Sequence, residues 1–184
     1  MKMNIANRIT LVRVFLVPVF AAAYLTDWMQ DPLKAWVCMA IFLTASLSDL
    51  VDGQLARRMH IVTDFGKFMD PLADKLLVST ALICLSGSGV VPAWVSVILI
   101  GREFVISGFR LIAAEKGVVI AAGIWGKLKT LVQMVAIIMI LSPITALWFR
   151  VLAMVLLYAS VALSIISVVD YIVRNKAVLE ETKE

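Results

Sequence analysis

The chain has 184 residues, 62% of them hydrophobic, and a mean hydropathy of +0.98. Soluble globular domains are close to half apolar, so this composition excludes an ordinary soluble enzyme and predicts an all-α, polytopic membrane protein. At this length we expect one membrane domain over residues 1–184. The net charge of +4 matters less than where the charges lie, and we expect no nucleic-acid partner.

Several apolar stretches approach the roughly 20 residues that a helix needs to cross a bilayer. In chain order, an amphipathic N-terminal segment precedes six predicted spans, over about residues 9–26, 35–57, 66–85, 93–114, 126–140 and 147–173. A cleaved signal peptide is an alternative for the N-terminus, but Arg8 and Arg13 interrupt its apolar run, so we expect no cleavage. Cys38 and Cys84 lie within apolar runs and are expected to pack as small hydrophobic residues.

A polar stripe marks the N-terminal segment, where Asn7, Thr10 and Arg13 recur every three residues on an otherwise apolar helix. Such a stripe is typical of a helix that lies in the membrane interface. It is also typical of a helix that borders a binding site, and the two interpretations remain open.

Four aspartates lie at the adjoining ends of the second and third predicted spans, at positions Asp49, Asp52, Asp70 and Asp74. The first two are three residues apart and the last two are four apart, so each pair lies on one helical face. The short segment between the spans can return the chain as an antiparallel hairpin, which lets the two faces point at each other. Four converging carboxylates would repel one another without cations, whereas divalent hard ions accept them as ligands. We therefore predict a site for two Mg²⁺ or Mn²⁺ ions.

Small residues accompany these acids. Gly53 and Ala56 follow the first pair on the same helix, and Gly66 opens the third span, which allows a backbone or a ligand to approach closely. Arg57 adds a planar donor fork that suits phosphate. Acids, bound metals and an arginine together predict a phosphate-handling centre.

The fourth span carries three charged residues, Arg102, Glu103 and Arg110, and charges inside a span usually face a cavity. The two arginines are eight residues apart and so lie on nearly the same face. An internal Arg–Glu pair that only stabilises the bundle is the alternative. Lys127 and Lys129 open the fifth span, where they could bind phosphate or simply follow the distribution of basic residues across the membrane.

Six spans place both termini on the same side of the membrane. Twelve of the 17 Lys and Arg residues lie near the span ends on that side, whereas Lys34 and Arg150 lie on the other. Lys and Arg concentrate on the cytoplasmic side of membrane proteins. We therefore expect both termini and the acidic centre to face the cytoplasm.

The acidic stretch resembles the complete signature of the CDP-alcohol phosphatidyltransferase family, D-x₂-D-G-x₂-A-R-x₈-G-x₃-D-x₃-D, here running from Asp49 to Asp74. The resemblance implies that the four aspartates hold the metal ions and that Asp74 also removes the proton from the attacking hydroxyl. It further implies contacts with the CDP-linked lipid by seven residues, namely Asn7, Thr10, Gly53, Ala56, Arg57, Thr63 and Gly66.

Two further runs, GREFVISGFR at 101–110 and GKLKT at 126–130, resemble those of the bacterial phosphatidylglycerophosphate synthases, a branch of this family. This resemblance implies transfer of a phosphatidyl group from CDP-diacylglycerol to sn-glycerol 3-phosphate, giving phosphatidylglycerol phosphate and CMP. It also implies a homodimer, surrounded by the lipids of a bacterial inner membrane. The residues expected to bind the phosphate of the acceptor are Arg102, Ser107, Arg110, Lys127 and Lys129.

Two alternatives remain from the sequence. A related enzyme that uses inositol phosphate, serine or another alcohol would share residues 49–74 and differ within residues 102–130. A cation transporter could also line its pathway with buried acids. The transporter gives no reason for Gly53, Ala56 and Arg57 at fixed spacing, so we favour the enzyme.

Overall fold

A computed structural model describes the backbone of residues 5–59, 64–115, 117–118, 120 and 123–175. Side chains are described for residues 11–48, 75–115, 117–118, 120 and 123–175. The described residues form six helices and no strand, so the all-α prediction is confirmed. The helices are α1 (Ile5–Leu25), α2 (Leu33–Met59), α3 (Asp64–Gly87), α4 (Ala93–Glu115), α5 (Ile124–Leu141) and α6 (Leu147–Arg174).

Each predicted span corresponds to one helix, and most predicted boundaries differ by only one or two residues from those observed. The largest difference is at α1, which begins at Ile5 and continues without a break to Leu25. The amphipathic N-terminal segment and the first span are therefore one helix. After α3, Gly89 adopts a φ of 73°, a left-handed conformation that glycine tolerates without strain, and the chain turns there toward α4.

An apolar core occupies one end of the bundle. It combines the second halves of α1, α3 and α5 with the first halves of α2, α4 and α6, as expected where consecutive helices run in opposite directions. α3 packs against α1, α2, α4 and α5, and α6 packs against α4 and α5. The predicted packing of Cys38 and Cys84 is confirmed, because both are free and buried in this core. Its largest side chains include Phe20, Phe42, Leu77, Leu99, Ile137 and Leu157.

Two helices of the described part, α5 and α6, are long and apolar enough to cross a membrane, with mean hydropathies of 1.7 and 2.5. Only 33% of either apolar segment is buried inside the chain, so the rest of each segment is partly or fully exposed at the surface. Apolar surface of that extent is stable in lipid and costly in water. The two helices therefore indicate a membrane protein.

Arg150, in the first turn of α6, closes the end of α5. Its Nη1 donates to the carbonyl of Ile140 at 2.9 Å, and its Nη2 donates to the carbonyl of Ser142 at 3.3 Å. The last carbonyls of a helix have no partner within the helix, and a cation is favourable beside them. We expect Arg150→Ala to destabilise the bundle by about 1–3 kcal/mol, the usual contribution of charged hydrogen bonds. Thermal unfolding in detergent measures this loss, and an unchanged Tm would contradict the capping role.

Candidate active site

The α2–α3 hairpin carries the acidic signature. α2 ends at Met59 and α3 begins at Asp64, and the two helices pack against each other, as predicted from the spacing. Asp49 and Asp52 lie in the last three turns of α2, whereas Asp70 and Asp74 lie in the first three turns of α3. The side chains of residues 49–74 are outside the described part of the structure, so their convergence stays a prediction.

The predicted contacts with the CDP-linked lipid also lie outside the described side chains. For Gly53, Ala56, Arg57 and Gly66 the structure gives only a place in the two helices, and for Asn7 and Thr10 only a place in α1. Thr63 lies outside the described backbone, immediately before α3. Arg13, the last member of the polar stripe, is described and only 1% exposed. Its side chain points into the bundle, which favours the interpretation of α1 as a border of the site.

A cavity of about 660 Å³ adjoins this hairpin and is walled by α2, α3, α4, α5 and α6. Ser46, one turn before Asp49, lines it from α2, and Lys75, next to Asp74, lines it from α3. The cavity therefore reaches the parts of both helices that carry the aspartates. Among the described side chains, its charged lining residues are Lys75, Arg102, Glu103, Arg110, Lys127 and Asp170. Four of these are cations and two are acids, so this described part of the lining carries a net positive charge.

Glu103 is the centre of an ion-pair network beside the cavity. Its Oε1 accepts a hydrogen bond from Lys129 Nζ at 2.6 Å and another from Arg102 Nη1 at 3.0 Å. Lys129 is only 1% exposed, and a charge at such a depth is costly without an opposite charge nearby. The pair predicted as an alternative for Arg102 and Glu103 is thus present, although Arg102 also lines the cavity.

Arg102 is anchored by hydrogen bonds to two residues, one on α6 and one on its own helix. Its Nε and Nη2 donate to Ser167 Oγ of α6 at 3.1 and 2.8 Å, in addition to the bond from Nη1 to Glu103. Gly126 of α5 permits this position, because a Cβ there would lie 3.0 Å from Arg102 Nη2. A guanidinium has five N–H donors, and the bonds to described residues leave one N–H on each of Nη1 and Nη2.

Two of the five residues predicted to bind the phosphate of the acceptor do not line the large cavity. Ser107 accepts a hydrogen bond from Lys75 Nζ and donates one to the carbonyl of Glu103 at 2.5 Å. Lys129 is buried against Glu103 and lines a smaller space of about 40 Å³ between α3, α4 and α5. Arg102, Arg110 and Lys127 do line the large cavity.

The wall provided by α6 was not predicted from the sequence. Ser160, Ser164, Ser167 and Tyr171 recur at intervals of four, three and four residues, and all four are buried. This is a polar stripe of the kind recognised in α1, but it stands in a strongly apolar helix. Ser167 and Tyr171 line the cavity together with Asp170, whose Oδ1 accepts a hydrogen bond from Arg174 at 2.6 Å.

The chain offers one group of residues whose chemistry suits a metal ion. No group of three or more His, Cys, Asp or Glu residues able to hold a metal ion occurs among the described side chains. The four aspartates of the α2–α3 hairpin fit divalent hard cations in their chemistry, because carboxylate oxygens are the ligands that Mg²⁺ and Mn²⁺ prefer. Their positions on two packed helices beside the cavity are consistent with that role.

Comparison with known proteins identifies the class. The family model for CDP-alcohol phosphatidyltransferase matches residues 3–166. The chain is 44% identical over 143 residues to CDP-diacylglycerol–glycerol-3-phosphate 3-phosphatidyltransferase of Bacillus subtilis (strain 168), covering 73% of this chain and 74% of the relative. The chain therefore belongs to the CDP-alcohol phosphatidyltransferase family, and the resemblance of its acidic signature is confirmed.

Two relatives match over a longer part of the chain. The probable phosphatidylglycerophosphate synthase of Mycobacterium tuberculosis (strain ATCC 25618 / H37Rv) is 42% identical over 172 residues, covering 93% of this chain and 81% of the relative. A Haemophilus influenzae protein named CDP-diacylglycerol–glycerol-3-phosphate 3-phosphatidyltransferase is 36% identical over 179 residues, covering 94% of this chain and 93% of the relative. The similarity thus includes the helices that form the cavity as well as the acidic hairpin.

Proposed function

We propose that this chain transfers the phosphatidyl group of CDP-diacylglycerol to sn-glycerol 3-phosphate, releasing CMP and phosphatidylglycerol phosphate. The observation that carries the proposal is the cationic cavity directly beside the α2–α3 hairpin. Its relatives are named for this reaction. A bond forms between the acceptor hydroxyl oxygen and the phosphorus that bears diacylglycerol, and the bond from that phosphorus to CMP breaks.

The aspartates have separate tasks in this proposal. Asp49, Asp52, Asp70 and Asp74 hold the divalent metal ions that the family uses, two in our proposal. Bound there, the metal supplies electrostatic stabilisation of charge on the transferring phosphoryl group. Asp74 takes the proton from the acceptor hydroxyl, as a positioned carboxylate can do for an attacking alcohol. Arg57 and the small residues Gly53, Ala56 and Gly66 bind the cytidine diphosphate portion, with Asn7, Thr10 and Thr63 beside them.

The cavity supports a phosphorylated acceptor. A neutral alcohol or zwitterionic serine would not require the cations of Arg102, Arg110 and Lys127, whereas a phosphate monoester binds such groups strongly. Arg102 is already oriented by Ser167 and Glu103, so little side-chain entropy is lost when it binds. Lys129 and Ser107 act through Glu103 and Lys75 in this proposal, because their polar atoms are engaged with those residues.

We further propose that all six helices cross the membrane and that the active site faces the cytoplasm. The homodimer and the location in a bacterial inner membrane also stay predictions. Exposed tryptophans support the spanning arrangement, because aromatic residues concentrate at both membrane–water interfaces. Trp125 lies at the start of α5, beside the cavity, and the others lie at the opposite end of the bundle. They are Trp28, Trp36, Trp94 and Trp148.

The reaction is tested by CMP release from purified protein in detergent with CDP-diacylglycerol and Mg²⁺ or Mn²⁺. Glycerol 3-phosphate, serine, inositol phosphate and no acceptor are offered in parallel. We expect release only with glycerol 3-phosphate. Release with another acceptor instead would preserve the acidic centre and contradict the assignment of the cationic cavity. Absence of release with any acceptor would contradict the proposed reaction itself.

Arg110→Ala is expected to raise the apparent KM for glycerol 3-phosphate about tenfold or more, the usual scale for a lost charged hydrogen bond. The KM for CDP-diacylglycerol should change little, because Arg110 lines the cavity on α4 rather than on the acidic hairpin. Steady-state kinetics with each substrate varied in turn measures both values. Lys34→Ala is the control, since Lys34 pairs with Asp27 at the other end of α2. Equal effects on both substrates would remove Arg110 from the acceptor site.

A further inference from the structure

Tyr171 carries a polar atom for which the described fold provides no partner. The residue lies in α6, is only 6% exposed and lines the large cavity. Its Oη has no hydrogen-bond partner among the described residues. Buried hydroxyl groups almost always have a partner, because leaving one unpaired is destabilising. The cavity is where such a partner can arrive.

The ring of Tyr171 is fixed from two sides. Phe109 meets it edge to face, with ring centroids 5.3 Å apart and an interplanar angle of 81°. The Cζ of Arg110 lies over it at 5.8 Å from the centroid. A phenylalanine would make both contacts equally well, so the hydroxyl has no task in packing. The same contacts hold the hydroxyl in place before any ligand binds.

The surroundings of the hydroxyl indicate the chemistry of its partner. Ser167, one turn before Tyr171 on α6, orients Arg102, and Tyr171 itself lies against Arg110. The same face of α6 therefore supports both arginines of α4. An anion bound between the two guanidinium groups would lie next to this face, within reach of a neutral donor.

We propose that Tyr171 is a specificity-determining residue whose hydroxyl donates a hydrogen bond to the phosphate of the acceptor substrate. The inference rests on the proposed function and assigns a further contact in the acceptor site. Two arginines and Lys127 supply charge, and Tyr171 supplies a donor of fixed position. Such a donor favours a phosphate at one place over an anion of different shape.

Tyr171→Phe tests this proposal, because it removes one oxygen and leaves the ring contacts. Without substrate, we expect an unchanged or higher Tm, since an unpaired buried hydroxyl is lost. The apparent KM for glycerol 3-phosphate should rise about three- to tenfold, the scale of one neutral hydrogen bond, with the KM for CDP-diacylglycerol unchanged. Stabilisation of the protein by added glycerol 3-phosphate, read as a Tm shift, should weaken in parallel.

Two variants on the same helix serve as controls. Tyr158→Phe makes the same chemical change at a tyrosine that stacks on Trp94, away from the cavity. Ser164→Ala removes another buried hydroxyl without a partner among the described residues, in a position that does not line the large cavity. Neither should alter the KM for glycerol 3-phosphate. These controls separate the loss of any buried hydroxyl from the loss of this one.

The outcomes are distinguishable. An unchanged KM for glycerol 3-phosphate in Tyr171→Phe would overturn the proposal, and so would a lower Tm without substrate, which would make the hydroxyl structural. A wild-type protein that releases no CMP would contradict the proposed function instead. In that case, the Tm shift caused by glycerol 3-phosphate alone still decides whether Tyr171 contacts this phosphate. The proposal would be overturned if the wild type and the variant showed an equal shift, or if neither showed one.

Discussion

Replacing Asp74 by asparagine is expected to lower CMP release by about two to four orders of magnitude, the usual contribution of a general base. The carboxamide is nearly the same size as the carboxylate and keeps an oxygen that can face a metal, but it cannot accept the proton of the acceptor hydroxyl. Binding of CDP-diacylglycerol should remain largely intact, because three other aspartates of the signature are retained. The bundle should also remain folded.

Three measurements separate these effects. Turnover is followed as CMP release, lipid binding as the Tm shift caused by CDP-diacylglycerol, and folding as the Tm without ligand. Asp27→Asn is the matched control, since Asp27 is a fully exposed aspartate in the loop between α1 and α2. Normal turnover in Asp74→Asn would exclude this residue as the base. Loss of lipid binding together with turnover would assign it to the metal centre alone.

The sequence predicted the six helices well because each is a long apolar stretch bounded by polar or turn residues. It predicted the hairpin because the segment between the two spans is short. It predicted a function there because four carboxylates in apolar sequence are costly. In the same way, the charged residues of α4 stood out against their surroundings. The prediction that Arg102 and Arg110 face a cavity is therefore confirmed.

The contribution of α6 could not be recognised by the same reasoning. Ser167 and Tyr171 are small or amphipathic residues that are common in apolar helices, so neither looks costly in the sequence. Their importance depends on which helix they face, and that is decided by packing between α4 and α6, which are far apart in the chain. The same holds for Gly126, whose missing side chain matters only because Arg102 Nη2 lies beside it.

The roles of Lys129 and Glu103 also required the tertiary structure. From the sequence, Lys129 and Lys127 are equivalent members of a basic run at the start of α5. Because they are two residues apart, a helix directs them to different faces. Lys127 lines the large cavity, whereas Lys129 turns inward to Glu103. Glu103 thereby joins a buried ammonium to the guanidinium of Arg102, and its removal should affect stability and acceptor binding together.

Glu103→Leu is expected to destabilise the bundle by about 3 kcal/mol, the lower end for a broken buried ion pair, since the Glu103 side chain is 23% exposed. Lys129 loses the carboxylate at 2.6 Å, and burial makes that loss costly. Arg102 also loses one of its two described anchors. We therefore expect a lower Tm and a raised KM for glycerol 3-phosphate, measured in detergent as for the other variants.

A second substitution separates the two effects of Glu103. Glu103→Leu/Lys129→Met also removes the buried ammonium. Its Tm should therefore be higher than that of Glu103→Leu and closer to that of the wild type, as for apolar replacements of buried ion pairs. The KM for glycerol 3-phosphate should stay raised, because Arg102 is still without the carboxylate that orients Nη1. The interaction term of this double-mutant cycle measures the coupling between Glu103 and Lys129. If the decreases in Tm caused by the two single substitutions simply added, the pair would not be stabilising. If the KM recovered together with the Tm in the double variant, Glu103 would affect acceptor binding only through overall stability.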